Sequence, residues 1–161
     1  LGNPLRLRRP LDAGVRVVVA HCASLGSGHI DDLRSAKLSN FELFAQLMDD
    51  SRYRANLFGD ISAITQGNRM SVVATLLERR DWHERLINGS DYPLPGVVPL
   101  IPLQALVDWQ LLEAANVETL RRLRDINVLL YDFVLKRSLK KGGQGFSKPV
   151  FETAPFFSQA A

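Results

Sequence analysis

Three short apolar runs, each followed by a helical pattern, constrain the fold of this chain more than any other feature. "VRVVVAHC" (Val15 to Cys22) is almost continuous and β-branched, as strands covered on both faces are. "YRANLFGDISAI" (Tyr53 to Ile64) contains the second run and "RLINGSD" (Arg85 to Asp91) the third. Between the first two, Phe41, Phe44, Leu47 and Met48 keep helical spacing, with Ser39 or Asn40 available as the cap. Between the second and third, Val73, Leu76 and Leu77 mark another helix stripe. Strand, helix, strand, helix, strand, helix predicts parallel strands joined by right-handed crossovers, an α/β fold.

After the third run the pattern is helical throughout. Leu103 to Ala115 reads as one helix behind Pro102. Glu118 to Leu139 reads as another, with Leu120, Leu123, Ile126 or Asn127, Leu130 and Val134 on one face. "KKGGQG" (Lys140 to Gly145) stops it, and the residues from there to Ala161 read as an irregular tail. No run approaches 18 apolar residues. The N-terminal "LGNPLRLRRP" also lacks the apolar region of a signal peptide, so no membrane partner is expected. Cys22 is the single cysteine, which rules out an intramolecular disulfide and suits a reducing cytoplasm.

The net charge of +3 comes from short basic clusters. These are Arg6, Arg8 and Arg9, then Arg121, Arg122 and Arg124, then Lys136, Arg137, Lys140 and Lys141. No aromatic residues alternate with them as in a single-strand binding groove. Solvated helix faces are expected, and no nucleic-acid partner.

Ligands of parallel α/β folds gather at the carboxyl ends of the strands. Here the first run ends at His21, the second near Asp60 and the third at Asp91. Imidazole and carboxylate together suit Zn²⁺ or a similar divalent ion, and a carboxylate beside a metal-bound water can take its proton. The same residues also serve as hydrogen-bonded loop groups and helix caps, and Gly89, Ser90, Asp91 and Pro93 are all turn formers. Residue chemistry leaves both readings open. A third candidate is "SLGSGH" (Ser24 to His29) as a phosphate loop at a helix N-terminus, although only Gly-x-Gly of the usual pattern is present.

"VVVAHCASLG", "NLFGDISAI" and above all "RLINGSDYP", in this order and separated by single helices, resemble the C-terminal part of the amidohydrolase superfamily. The nearest branch is the amidohydrolase-related hydrolases and decarboxylases, and the helix "NVLLYDFVLKRSL" is similar to that branch too. The resemblance covers roughly Leu5 to Leu139. It implies a (β/α)₈ TIM barrel with a divalent metal, zinc being the first expectation, at the strands' C-terminal ends. The activated water attacks an amide, ester or lactone; in the decarboxylase members the metal organises loss of CO₂ instead. His21 matches the single metal-ligating histidine of a middle strand. Asp91 matches the late-strand aspartate that binds metal or carries the catalytic proton. Asp60 and His29 are the candidates for substrate contact.

The departures from the family are equally specific. Its first-strand His-x-His is absent, since the histidines are His21, His29 and His83 alone. His83 precedes the third run and reads as structural, and Cys22 as a packing residue. A whole barrel takes about 250 residues. The chain, beginning at Leu1 with three recognisable strands, is therefore expected to be a fragment. Residues 1–139 would form the C-terminal part of a barrel, followed by the tail 140–161. The expected partners are a small-molecule substrate, the missing N-terminal half of the same barrel and, through uncovered sheet edges, other copies of the chain. On this reading the isolated chain is inactive; a non-catalytic half-barrel is the competing reading.

Overall fold

A computed structural model describes residues 2–30 and 36–158; residues 31–35 of the expected barrel region and the last three of the tail lie outside them. The chain forms two compact units, Leu1–Asp60 and Ile61–Ala161.

In the first unit, Asn3 accepts the N–H of Leu5 at 2.9 Å and starts a 3-10 turn that leads into α1 (Arg8–Asp12). β1 (Val17–Val19) follows. The chain then makes an antiparallel hairpin, β2 (Ser27–His29) with β3 (Lys37–Ser39), before α2 (Asn40–Asp49). Ser39 caps α2 as its sequence position suggests. Its hydroxyl accepts the Glu42 N–H, and the Glu42 carboxylate returns to the Ser39 N–H at 2.8 Å. Leu43, Phe44, Leu47 and Met48 form the buried face of α2. β4 (Leu57–Asp60) lies parallel to β1, with Val17 opposite Leu57 and Val19 opposite Gly59. Asn56 ties this arrangement to the α1–β1 connection by donating to the carbonyls of Leu11 at 2.9 Å and Val15 at 3.2 Å.

Gly28 is a close-approach glycine. A Cβ there would sit 2.9 Å from Asn3 Nδ2 and 3.1 Å from Leu43 Cδ1, so a side chain would require the Asn3 and Leu43 side chains to give way.

The second unit opens with a fully buried stretch from Ile61 to Gln66 and continues to α3 (Val73–Glu78), which buries Val73, Leu76 and Leu77 as expected. β5 (Leu86–Ile87) is next, and the Ile61 N–H donates to the Ile87 carbonyl at 2.9 Å. Then come α4 (Leu103–Asp108), α5 (Val117–Ile126), α6 (Val128–Ser138), the hairpin β6 (Lys140–Lys141) with β7 (Gln144–Gly145), and α7 (Ala154–Ser158). The fold is mixed α/β. In the first unit β1 and β4 pair in parallel, with α2 in the crossover between them.

Five local expectations change. The first strand ends at Val19 rather than His21, because His21, Cys22 and Ala23 take left-handed backbone angles that cannot continue a strand. Nor is that strand covered on both faces, since Val18 is 43% exposed. The helix expected over 103–115 stops at Asp108, with Gln110 left-handed just beyond.

The long helix expected over 118–139 is two. Asn127 is extended (φ −153°, ψ 104°), and its side chain accepts the Leu130 N–H to cap α6. That break resets the helical phase. Ile126 is 81% exposed while Tyr131 and Leu135 are fully buried.

The segment from Lys140, read as irregular, folds into the hairpin, a 3-10 turn at Lys148–Phe151 and α7. Val150 is buried there, and its carbonyl accepts the Asn88 N–H at 2.8 Å just beyond β5.

Candidate active site at the strand ends

Asp60 is the last residue of β4, and His21 lies two residues past the end of β1. Because β1 and β4 are parallel and in register, both side chains emerge at the same end of the pair. The Asp60 carboxylate accepts the backbone N–H of His21 at 3.4 Å and stands 3.7 Å from its Nδ1. Both side chains reach solvent, at 23% and 18% exposure. Cys22 turns inward, fully buried, and its thiol donates to the Asp60 carbonyl at 3.3 Å. Burial first, and the Asp60 charge second, push that thiol well above its ordinary pKa. It stays protonated, a packing and donor group rather than a nucleophile.

Left-handed backbone follows strands in each of the two units. Among the described residues, six non-glycine positions have positive φ. His21, Cys22 and Ala23 follow β1, Ala63 follows β4, Asp91 follows β5, and Gln110 is the sixth. Each costs on the order of 1–2 kcal/mol and persists only where its surroundings hold it, as at ligand sites. Sequence signals there are weak: none is glycine or asparagine, and only His21 and Asp91 are of types enriched in this conformation.

Asp91 stands four residues beyond β5, not at the strand's last position as expected. Its φ is 57° and the following Tyr92–Pro93 bond is cis. The Leu94 N–H closes back onto the Asp91 carbonyl at 3.0 Å, and the Tyr92 N–H onto Ser90 Oγ at 3.3 Å. The GSDYP run is therefore a hydrogen-bonded corner that presents a partly exposed carboxylate.

His29 ends β2, on the antiparallel hairpin and exposed, and its carbonyl accepts from Asn3 Nδ2 at 2.9 Å. Ser27 to His29 pair with β3 instead of opening a helix, and the N-terminus of α2 is closed by its own capping box. The phosphate-loop arrangement does not form. His83 is structural as expected. It is buried, with Nε2 3.0 Å from the Leu76 carbonyl and Nδ1 accepting the Ser147 N–H at 3.1 Å.

A catalytic zinc takes three protein ligands. His21 and Asp60 together offer two donors, and among the described residues no group of three or more His, Cys, Asp or Glu is placed to hold a metal ion. Among the described residues, the pair does not by itself complete the ligand set of the divalent ion that the resemblance implies. Among the described residues, no helix is long and apolar enough to cross a membrane. The chain matches no protein-family description, no curated protein and no solved structure.

Proposed function

We propose that the chain carries acid–base residues of a hydrolase of the amidohydrolase kind, built on the carboxyl ends of strands belonging to a (β/α) barrel. The observation that carries this reading is the His21–Asp60 pair, held at the ends of two parallel strands, with His21 opening a run of three left-handed residues. In this reading His21 takes a proton from the attacking water and returns one to the leaving group. Asp60 holds the His21 backbone through its N–H and stands beside Nδ1, where a carboxylate sets the orientation and tautomer of an acid–base imidazole. The proton-carrier role that the resemblance implies for Asp91 is a separate part of the reading, tested by its own variants. The substrate class is a small amide, ester or lactone, and no step is routed through a metal.

The test is turnover of activated esters, lactones and anilides by the chain, compared with His21→Gln and Asp60→Asn. The fragment expectation is an inactive isolated chain; the His21–Asp60 pair, in contrast, needs neither the missing half nor a metal in this reading. Hydrolysis above the buffer rate is therefore expected, falling by roughly 10²–10⁴-fold in His21→Gln. No turnover by the unaltered chain, or equal turnover by His21→Gln, overturns the reading.

A further inference from the structure

Lys136, on α6, has none of its surface exposed. Its ammonium donates to Asp132 Oδ2 at 2.7 Å, one helical turn earlier, and to the carbonyl of Gly89. Asp132 is itself buried, at 2% exposure. Desolvation of such a pair can exceed its attraction, and an apolar pair of similar volume is often as stable or more so. Stability alone therefore does not account for it.

The bond to Gly89 supplies what stability does not. Gly89 stands two residues before Asp91, where the chain has left β5. Upstream, Asn88 is fixed by its N–H to the Val150 carbonyl at 2.8 Å. Downstream, the corner closes through the Leu94 N–H and the Asp91 carbonyl at 3.0 Å, with Asp91 at φ 57°. A non-glycine residue keeps that conformation only when its surroundings over-determine it. A charge-assisted bond from a packed helix to the carbonyl entering the corner does so, since such bonds are about twice as strong as neutral ones.

We infer that Lys136 is a positioning residue for Asp91: neutralised and aimed by Asp132, it anchors the Gly89 carbonyl and thereby sets where the Asp91 carboxylate stands. The importance of that position rests on the reading of Asp91 as a proton carrier; the anchoring itself does not.

The test is amide hydrogen exchange, read by NMR, on the unaltered chain and on the double variant Lys136→Met/Asp132→Leu, which removes both charges together. The Leu94 amide, which reports the corner, should exchange at least about tenfold faster, while the Asn88 amide keeps its protection, as expected for local rather than global opening. Unchanged Leu94 exchange overturns the inference. So does equal acceleration of both amides, the mark of a merely structural role. Should the double variant not fold, the unaltered chain decides. A protected Lys136 ammonium with a cross-peak to the Gly89 α-protons supports the anchor, and an ammonium without one removes it. Turnover of Asp91→Asn is read separately. A loosened corner with unchanged Asp91→Asn turnover keeps the anchor and discards the catalytic reading of Asp91.

Discussion

The carboxylate of Asp60 stands 3.7 Å from His21 Nδ1 and binds the His21 backbone N–H at 3.4 Å. One side chain therefore both faces the imidazole and supports the strained backbone that carries it. The turn is closed further by the Ser24 N–H on the His21 carbonyl at 2.9 Å. Two substitutions separate strain from support. Ala23→Gly, at φ 51°, should stabilise the chain by up to about 1 kcal/mol, because glycine carries no Cβ penalty there. Asp60→Ala should cost about 1 kcal/mol or more, because it removes an acceptor from a partly buried N–H. Urea unfolding measures both, and a destabilised Ala23→Gly would mean the turn stores no strain.

The buried pair on α6 makes a different prediction. Asp132→Ala leaves the Lys136 ammonium enclosed without its carboxylate and should cost about 3–5 kcal/mol. Lys136→Met/Asp132→Leu should come within about 1 kcal/mol of the unaltered chain, since apolar replacement of a buried pair is often neutral or better. Chemical denaturation of both variants checks the contrast. A single variant as stable as the double one would show that water reaches the site.

These elements differ in how far they could be read in advance, and the differences are physical. The parallel order of β1 and β4, the Ser39 cap and the α3 stripe were legible because periodicity and capping are local in sequence. The β2–β3 hairpin was not, since "SGH" and "KLS" carry no β-branched alternation. The break at Asn127 was not legible from periodicity, because the apolar spacing runs on through it while the side chain caps α6. Lys136 reads as one of a basic cluster on a solvated face, although Asp132 four residues earlier was the visible sign of a partner. The residue types His21, Asp60 and Asp91 near strand ends were legible. The left-handed backbone of His21 and Asp91 was not, because residue type alone does not fix φ, and Asp60 itself stays within β4.

His83 gives a pH dependence with a defined sign. Its Nδ1 accepts the Ser147 N–H and its Nε2 lies 3.0 Å from the Leu76 carbonyl, so the folded chain holds the neutral ring with its proton on Nε2. Burial, the largest cause, lowers its pKa below the ordinary value. Unfolding releases the imidazole to a pKa of about 6.5, so below that pH the unfolded chain binds the extra proton. Its stabilising contribution is therefore complete above about pH 6.5 and is lost as pH falls from there through the folded-state pKa. Urea midpoints between about pH 5 and 8 should fall on the acid side in the unaltered chain. The slope should be smaller in His83→Gln, which can donate and accept but does not titrate. Equal slopes would assign the acid loss to carboxylates instead.

Asp91 allows conformation and charge to be separated at one position. Its φ of 57° suits asparagine nearly as well as aspartate, because short polar side chains tolerate left-handed backbone. Alanine does not share that tolerance. Asp91→Asn should therefore keep stability within about 0.5 kcal/mol, while Asp91→Ala loses about 1 kcal/mol. Asp91→Gly should gain stability despite losing the whole side chain. Turnover should follow the carboxylate and not the fold. All three variants should lose roughly 10²–10⁴-fold in kcat if Asp91 carries a proton, with KM changing less. The most stable of the three, Asp91→Gly, would then be as inactive as the least stable. If turnover instead tracks stability across the series, the GSDYP corner is a turn whose aspartate serves only its own backbone.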